Sequence, residues 1–165
     1  MLNRFAQLSA RVSMALAAIC FAGFILMILA QVSYRYLGIS MVFSEDAARL
    51  LNIYAVFLGL VMVVHKDGDV RIDLIDRFLA QKPALQTILR VGYAFILIAL
   101  LSAISYGSFL LMQANWGFLL PAIPFLHQGH IYLAPFIGSI LSIIVTISKL
   151  HRYFTHGYEP AEDQL

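Results

Sequence analysis

Between Arg90 and Lys149 the chain reads VGYAFILIALLSAISYGSFLLMQANWGFLLPAIPFLHQGHIYLAPFIGSILSIIVTIS (residues 91–148), without one aspartate, glutamate, lysine or arginine. A soluble protein cannot keep so long an uncharged run in water, whereas a bilayer takes it as two spans of about 20 residues each. The run is interrupted near its middle by Trp116, Gly117, Pro121, Pro124 and the polar group His127, Gln128, Gly129, His130. Glycine and proline punctuate helices, so the prediction is helix, a turn through the interface, helix. The rest of the composition agrees: the chain is 61% hydrophobic and 12% charged, with a mean hydropathy of +0.84.

Working outward, two further spans are expected. The first lies between Arg11 and Arg35; it is too long for a signal peptide, and Ile28-Leu29-Ala30-Gln31 offers no small-x-small cleavage site. The second is uncharged only from Leu50 to His65, too short for a core about 30 Å thick at about 1.5 Å per residue. It is long enough if Ser44 caps the helix and Glu45 and Asp46 sit at its positive end. The predicted fold is an all-α integral membrane domain over residues 1–165 with four transmembrane helices, at about 12–36, 45–65, 86–113 and 131–150. Short interfacial helices accompany them. The segment Val70–Ala80 is amphipathic, with Leu74, Ile75, Phe78 and Leu79 on one face and Asp73, Asp76 and Arg77 on the other. The tail 158–165 is acidic and expected to be disordered.

Every one of the 11 lysines and arginines except Arg35 and Arg49 falls at the N-terminus, between spans 2 and 3, or at the C-terminus. The positive-inside rule then places both termini in the cytoplasm. Two loops face outward, 38–44 and 116–130. The second loop, apolar yet broken by two prolines, is expected to lie in the external interface.

Three features bear on function. On span 2, Glu45, Ala48, Asn52, Ala55, Gly59 and Met62 recur at alternating three- and four-residue spacing. Small residues let helices approach closely in lipid, and an asparagine hydrogen-bonds across the contact. Span 4 has a similar stripe in Gly138, Ser142 and Thr146. These stripes fit packing within one bundle or docking onto a second membrane protein. Around the first external loop, Gln31 and Arg35 are one turn apart and Glu45 and Arg49 have the i, i+4 spacing of a helical ion pair. This cluster snorkels to headgroups, orders the loop, or pairs with a partner protein. His127 and His130 have metal-ligand spacing but no third ligand nearby, and no histidine lies mid-span where a haem pair would sit. The one cysteine, Cys20, reads as a packing residue. No catalytic, metal, cofactor or nucleic-acid site is expected. No carboxylate sits mid-membrane, which argues against autonomous transport.

With these residues in view, the chain resembles the small membrane (Q) subunit of tripartite ATP-independent periplasmic (TRAP) transporters, the DctQ-like family. Gln31-Val32-Ser33-Tyr34-Arg35-Tyr36 is similar to that family's end of span 1. Phe43-Ser44-Glu45-Asp46-Ala47-Ala48-Arg49-Leu50 is similar to its aromatic-Ser-Glu-Glu-x-Ala-Arg pattern, with Asp46 for the second Glu. Gly59, followed by Lys66-Asp67-Gly68-Asp69-Val70-Arg71-Ile72-Asp73, resembles its glycine-containing span 2 and basic-Gly-His-x-x-x-Asp turn, with Asp69 for the His. Pro135 and Gly138 resemble its proline-containing start of span 4.

The resemblance implies an accessory subunit, not an enzyme, in the bacterial inner membrane. It would brace the scaffold of a large sodium-coupled elevator (M) subunit. A periplasmic binding protein would deliver an organic acid of the C4-dicarboxylate or sialic acid type. Arg35, Ser44, Glu45, Asp46, Arg49, Asn52, Gly59 and Asp73 would then meet the large subunit. Asn115, Trp116 and Phe118 would border the binding-protein dock, unless Trp116 is an interfacial anchor. The alternative is a self-contained small carrier or channel acting as a homo-oligomer.

Overall fold

The computed structural model describes residues 2–38, 42–66 and 83–156. Within them lie four long helices, α1 (Leu2–Tyr36), α2 (Val42–His65), α3 (Pro83–Asn115) and α4 (Gly129–His156), with a two-stranded hairpin, β1 (Leu119–Leu120) and β2 (Ile123–His127), between α3 and α4. All four helices are long and apolar enough to cross a membrane. Each begins earlier than its predicted span. In α2 the difference changes a role: the helix starts at Val42, so Ser44 is not its cap but a fully buried residue of the first turn. Asp73, the amphipathic segment 70–80 and the tail 158–165 lie outside the described residues.

Polar residues sit at the ends of the apolar rods. Glu45 and Lys66 are about 31 Å apart along α2, and Gly129 and Lys149 about 30 Å along α4, at about 1.5 Å per residue. Both lengths match a hydrocarbon core of about 30 Å. Between these ends many large apolar side chains face outward, including Leu26, Phe95 and Ile96, each about two-thirds exposed or more. Surfaces of that kind suit lipid and not water.

Packing joins α1 to α2, α2 to α4 and α4 to α3, with a smaller contact of α1 on α4. Lipid tails are as apolar as leucine, so helices hold together in a bilayer by close packing and hydrogen bonds. The tightest place is Gly138 of α4. A Cβ there would lie 2.5 Å from the Phe57 carbonyl oxygen and 2.9 Å from the Phe57 Cβ. Only a glycine lets the two backbones come so near. Ser139, Ser142 and Thr146 continue this buried line. The Ser139 hydroxyl donates to the Pro135 carbonyl and that of Thr146 to the Ser142 carbonyl, so these two residues satisfy local carbonyls without widening the contact, while the buried Ser142 hydroxyl has no partner among the described residues. The span 4 stripe is therefore internal packing.

Two long-range bonds fix the register of α2 on α4. The Tyr54 hydroxyl donates to the His130 carbonyl (3.0 Å), and the Lys149 Nζ donates to the Val64 carbonyl (2.6 Å). Val64 lies in the last turn of α2, whose carbonyls lack helical partners; a lysine from the neighbouring helix caps one of them and complements the negative end of the dipole. α2 and α4 thus run parallel. A cluster of Ala6, Ala10, Val61 and Val145 closes the lysine end, drawing α1 onto both. Phe109 and Phe136, with ring centroids 5.6 Å apart, seat α3 on α4.

Gly138→Leu should drive α2 and α4 apart and destabilise the isolated chain by about 3 kcal/mol, the upper range for overpacking. Gly59→Leu should not, because a Cβ at Gly59 meets only the Ala17 Cβ at 3.9 Å. Thermal midpoints in one mild detergent compare the two; equal midpoints for both variants would deny the α2–α4 contact its controlling role.

Candidate partner-binding site

Along α2, Asn52, Val56, Gly59, Val63 and Lys66 recur at steps of four, three, four and three. All but half-buried Gly59 are exposed. Along α1, Met14, Ala17, Ala18 and Phe21 follow a matching rhythm. The two rows line one open groove of about 730 Å³ between the helices. Its floor is shallow in side-chain bulk: Ala17, Ala18, Ala55 and Gly59 contribute at most a methyl group. Met14, Phe21, Val56 and Val63 supply larger groups. A seam repeating every 3.5 residues on two neighbouring helices is the surface into which a third helix packs knobs into holes.

The groove contains one polar side chain within the span. Asn52 lies about 10 Å along α2 from Glu45 at about 1.5 Å per residue, inside the hydrocarbon depth. Its amide makes no hydrogen bond within the described residues. Its stem is too short to reach the headgroups, as a lysine or arginine would.

The span 2 stripe therefore divides. Ala48 and Ala55 are buried in the fold, Gly59 sits over Ala17, and Asn52 faces the groove. Packing within the bundle accounts for one face of the stripe; the other lines the open groove. The α1 wall was missed in the sequence; its signal was the spacing of Met14, Ala17 and Phe21, visible only as a match to α2.

At the other sequence-predicted cluster, Arg35, Glu45 and Arg49 are exposed and Asp46 half-buried. No ion pair joins these four within the described residues. The Glu45–Arg49 spacing is helical, but the long side chains gain too little in a solvated setting to hold one geometry. The cluster is a charged rim near one end of the groove.

On the hairpin side, the Asn115 amide donates to the Leu111 carbonyl (2.8 Å). Trp116 stacks on His127 (centroids 5.9 Å) and His130 (5.1 Å). The His130 Nδ1 is 3.0 Å from the His127 carbonyl oxygen, so a proton on Nδ1 donates there. The two imidazoles thus join an aromatic cluster. Phe118 points outward, 61% exposed. The structure brings Trp116 to the histidines and leaves Phe118 apart from them.

The family model for the DctQ component of tripartite ATP-independent periplasmic transporters matches residues 24–156. The chain belongs to this family. No curated protein and no solved structure matches it. This DctQ chain is accordingly the small membrane subunit of a TRAP transporter, a multi-pass membrane protein that works as one part of a tripartite assembly. The match takes in the α2 wall of the groove, the charged rim and the hairpin; Met14, Ala17 and Phe21 precede it.

Because no ion pair joins the rim charges among the described residues, Glu45→Ala and Arg49→Ala should each change the stability of the isolated chain by no more than about 0.5 kcal/mol. Their double-mutant cycle should give a coupling near zero. A coupling of about 1 kcal/mol or more would mean the pair closes in the bilayer.

Proposed function

We propose that this subunit braces the scaffold of a large sodium-coupled elevator (M) subunit, and that the α1–α2 groove is where a helix of that subunit lies. The observation that carries the reading is the unpaired Asn52 amide in a groove with a 3.5-residue rhythm on both walls. Lipid chains do not hydrogen-bond, so a bare groove leaves this amide unsatisfied. A transmembrane helix with a polar side chain level with Asn52 and small residues level with Gly59 satisfies both walls. The rim charges Arg35, Glu45, Asp46 and Arg49 then face the large subunit at the membrane edge, where charges select a partner more than they tighten it. An elevator needs one part to stay still while another slides through the bilayer, and four extra helices enlarge the still part. The transported compound, on this reading, is an organic acid of the C4-dicarboxylate or sialic acid type delivered by the periplasmic binding protein.

Co-purification with the large subunit in mild detergent tests the groove. Gly59→Leu should lose the large subunit while keeping its own thermal midpoint. Asn52→Leu should weaken retention by about fivefold, as expected for one interhelical hydrogen bond of about 1 kcal/mol. Full retention and uptake in Gly59→Leu would remove the groove from the interface.

The charge bias favours cytoplasmic termini. In a Cys20→Ser background, a membrane-impermeant maleimide should label Gly38→Cys in intact cells and Thr155→Cys only after permeabilisation. The reverse pattern would invert the topology.

A further inference from the structure

The hairpin between α3 and α4 has two unlike faces. Leu120 and Ile123 point into the bundle, 3% and 8% exposed, while Phe125 and Phe118 point out at 81% and 61%. The pairing is antiparallel, with Leu120 opposite Ile123 across the Pro121-Ala122 turn and an irregularity between Leu119 and Leu120. Its height follows from the register of the helices. Measured back along parallel α2 and α4 from the Gly138–Phe57 contact, Gly129 is about level with Ala48 at about 1.5 Å per residue on each helix. The hairpin touches α2 and so sits beside its first turns, where Ser44 and Ala48 are buried. That is the level of the hydrocarbon boundary.

The backbone sets how deep such an element can go. The Gln128 backbone N–H donates to the Phe118 carbonyl, and its side-chain amide donates to the Leu119 carbonyl. Pro121 and Pro124 have no N–H to leave unpaired. A two-stranded sheet still has open edges, which need water or headgroups and exclude it from the hydrocarbon interior. Its outward phenyl groups need the opposite.

Both demands are met at one depth only, with the backbone among headgroups and the phenyl rings in the upper acyl chains. The cluster at the hairpin's base fixes that orientation. Trp116 stacks on both histidines, and a Cβ at Gly129 would lie 2.5 Å from the indole, so the ring lies directly against the start of α4. A soluble partner would meet an apolar patch with a polar rim; the hairpin and its flanks contain no aspartate, glutamate, lysine or arginine at all.

We propose that this hairpin is a lipid-binding element seated in the headgroup boundary of the leaflet at its end of the bundle. Phe118, Leu119 and Phe125 dip into the acyl region, and the element fixes the height of the subunit against displacement along the membrane normal. The proposal does not depend on which face of the chain meets the large subunit.

Trp116 is the single tryptophan of the chain, which makes the test direct. A Trp116→Phe, Phe125→Trp variant of the full chain is reconstituted in vesicles with phospholipids brominated either near the glycerol end or near the methyl end of the chain. Glycerol-end bromine should reduce emission about twofold, methyl-end bromine less, and aqueous iodide little, as fits a depth of about 5–10 Å. Strong iodide quenching without bromine quenching would put the hairpin in water and free this face for a soluble protein. Quenching by neither would mean the ring is covered by this chain or by a second copy of it, and would equally overturn the proposal. The wild-type chain, read through Trp116 itself, repeats the measurement if the variant does not fold.

Discussion

Helices in a bilayer gain nothing from hiding apolar surface from one another, because lipid hides it as well. This bundle is therefore held by close approach of its helices, of which the contact of Gly138 on α4 with the Phe57 backbone of α2 is one so tight that no Cβ fits. That contact joins the two helices on which α1 and α3 pack. It sets α2 and α4 parallel and in register. It brings Lys149 to the last turn of α2 and Tyr54 to the first turn of α4. It leaves α3 to pack on α4, and it turns the opposite side of α2 toward α1 and the groove.

The consequence is a helix with two different faces. The side of α2 bearing Leu58 and Val61 is spent inside the subunit. The side bearing Asn52, Val56, Gly59 and Val63 is not, although it carries the same kinds of small and polar residues. Glycine does different work on the two faces. At Gly138 it permits a contact already made; at Gly59 it keeps a surface low where the subunit itself places only Ala17.

Much of this was legible in the sequence. The spans follow from where charge stops, since Arg90 and Lys149 bracket a run that no aqueous fold tolerates. The family was legible in the order Gln31–Tyr36, Phe43–Leu50, Gly59, Lys66–Asp73 and Pro135–Gly138, and the match over residues 24–156 agrees with it. The roles of the two stripes were not, because Gly138-Ser142-Thr146 and Asn52-Ala55-Gly59 have the same chemistry and differ only in what stands opposite. The hairpin was hidden for another reason. Leu119-Leu120-Pro121-Ala122-Ile123 lacks the glycine or asparagine turn that marks a hairpin, and its irregular pairing erases the alternation that marks a strand. Ser44 looked like a cap because serine caps helices; here Val42 and Phe43 already belong to the helix, and Ser44 faces inward.

The groove is then the part of the surface with the least reason to remain bare. Phe95 or Leu26 facing lipid is at no disadvantage, and such residues make up most of the exterior. Asn52 differs. A carboxamide with no partner in hydrocarbon is disfavoured by about 4 kcal/mol or more on alkane transfer scales, whereas one interhelical hydrogen bond contributes only about 1 kcal/mol relative to a chain already in the membrane. The asymmetry matters more than either value. A lone amide adds little to an assembly that pairs it, but it penalises every partner that buries it without a hydrogen bond. A polar residue placed so acts on specificity: it disfavours any partner lacking a hydrogen-bonding group at its depth. On the proposed function, that is the behaviour required of a subunit fixed to one particular neighbour.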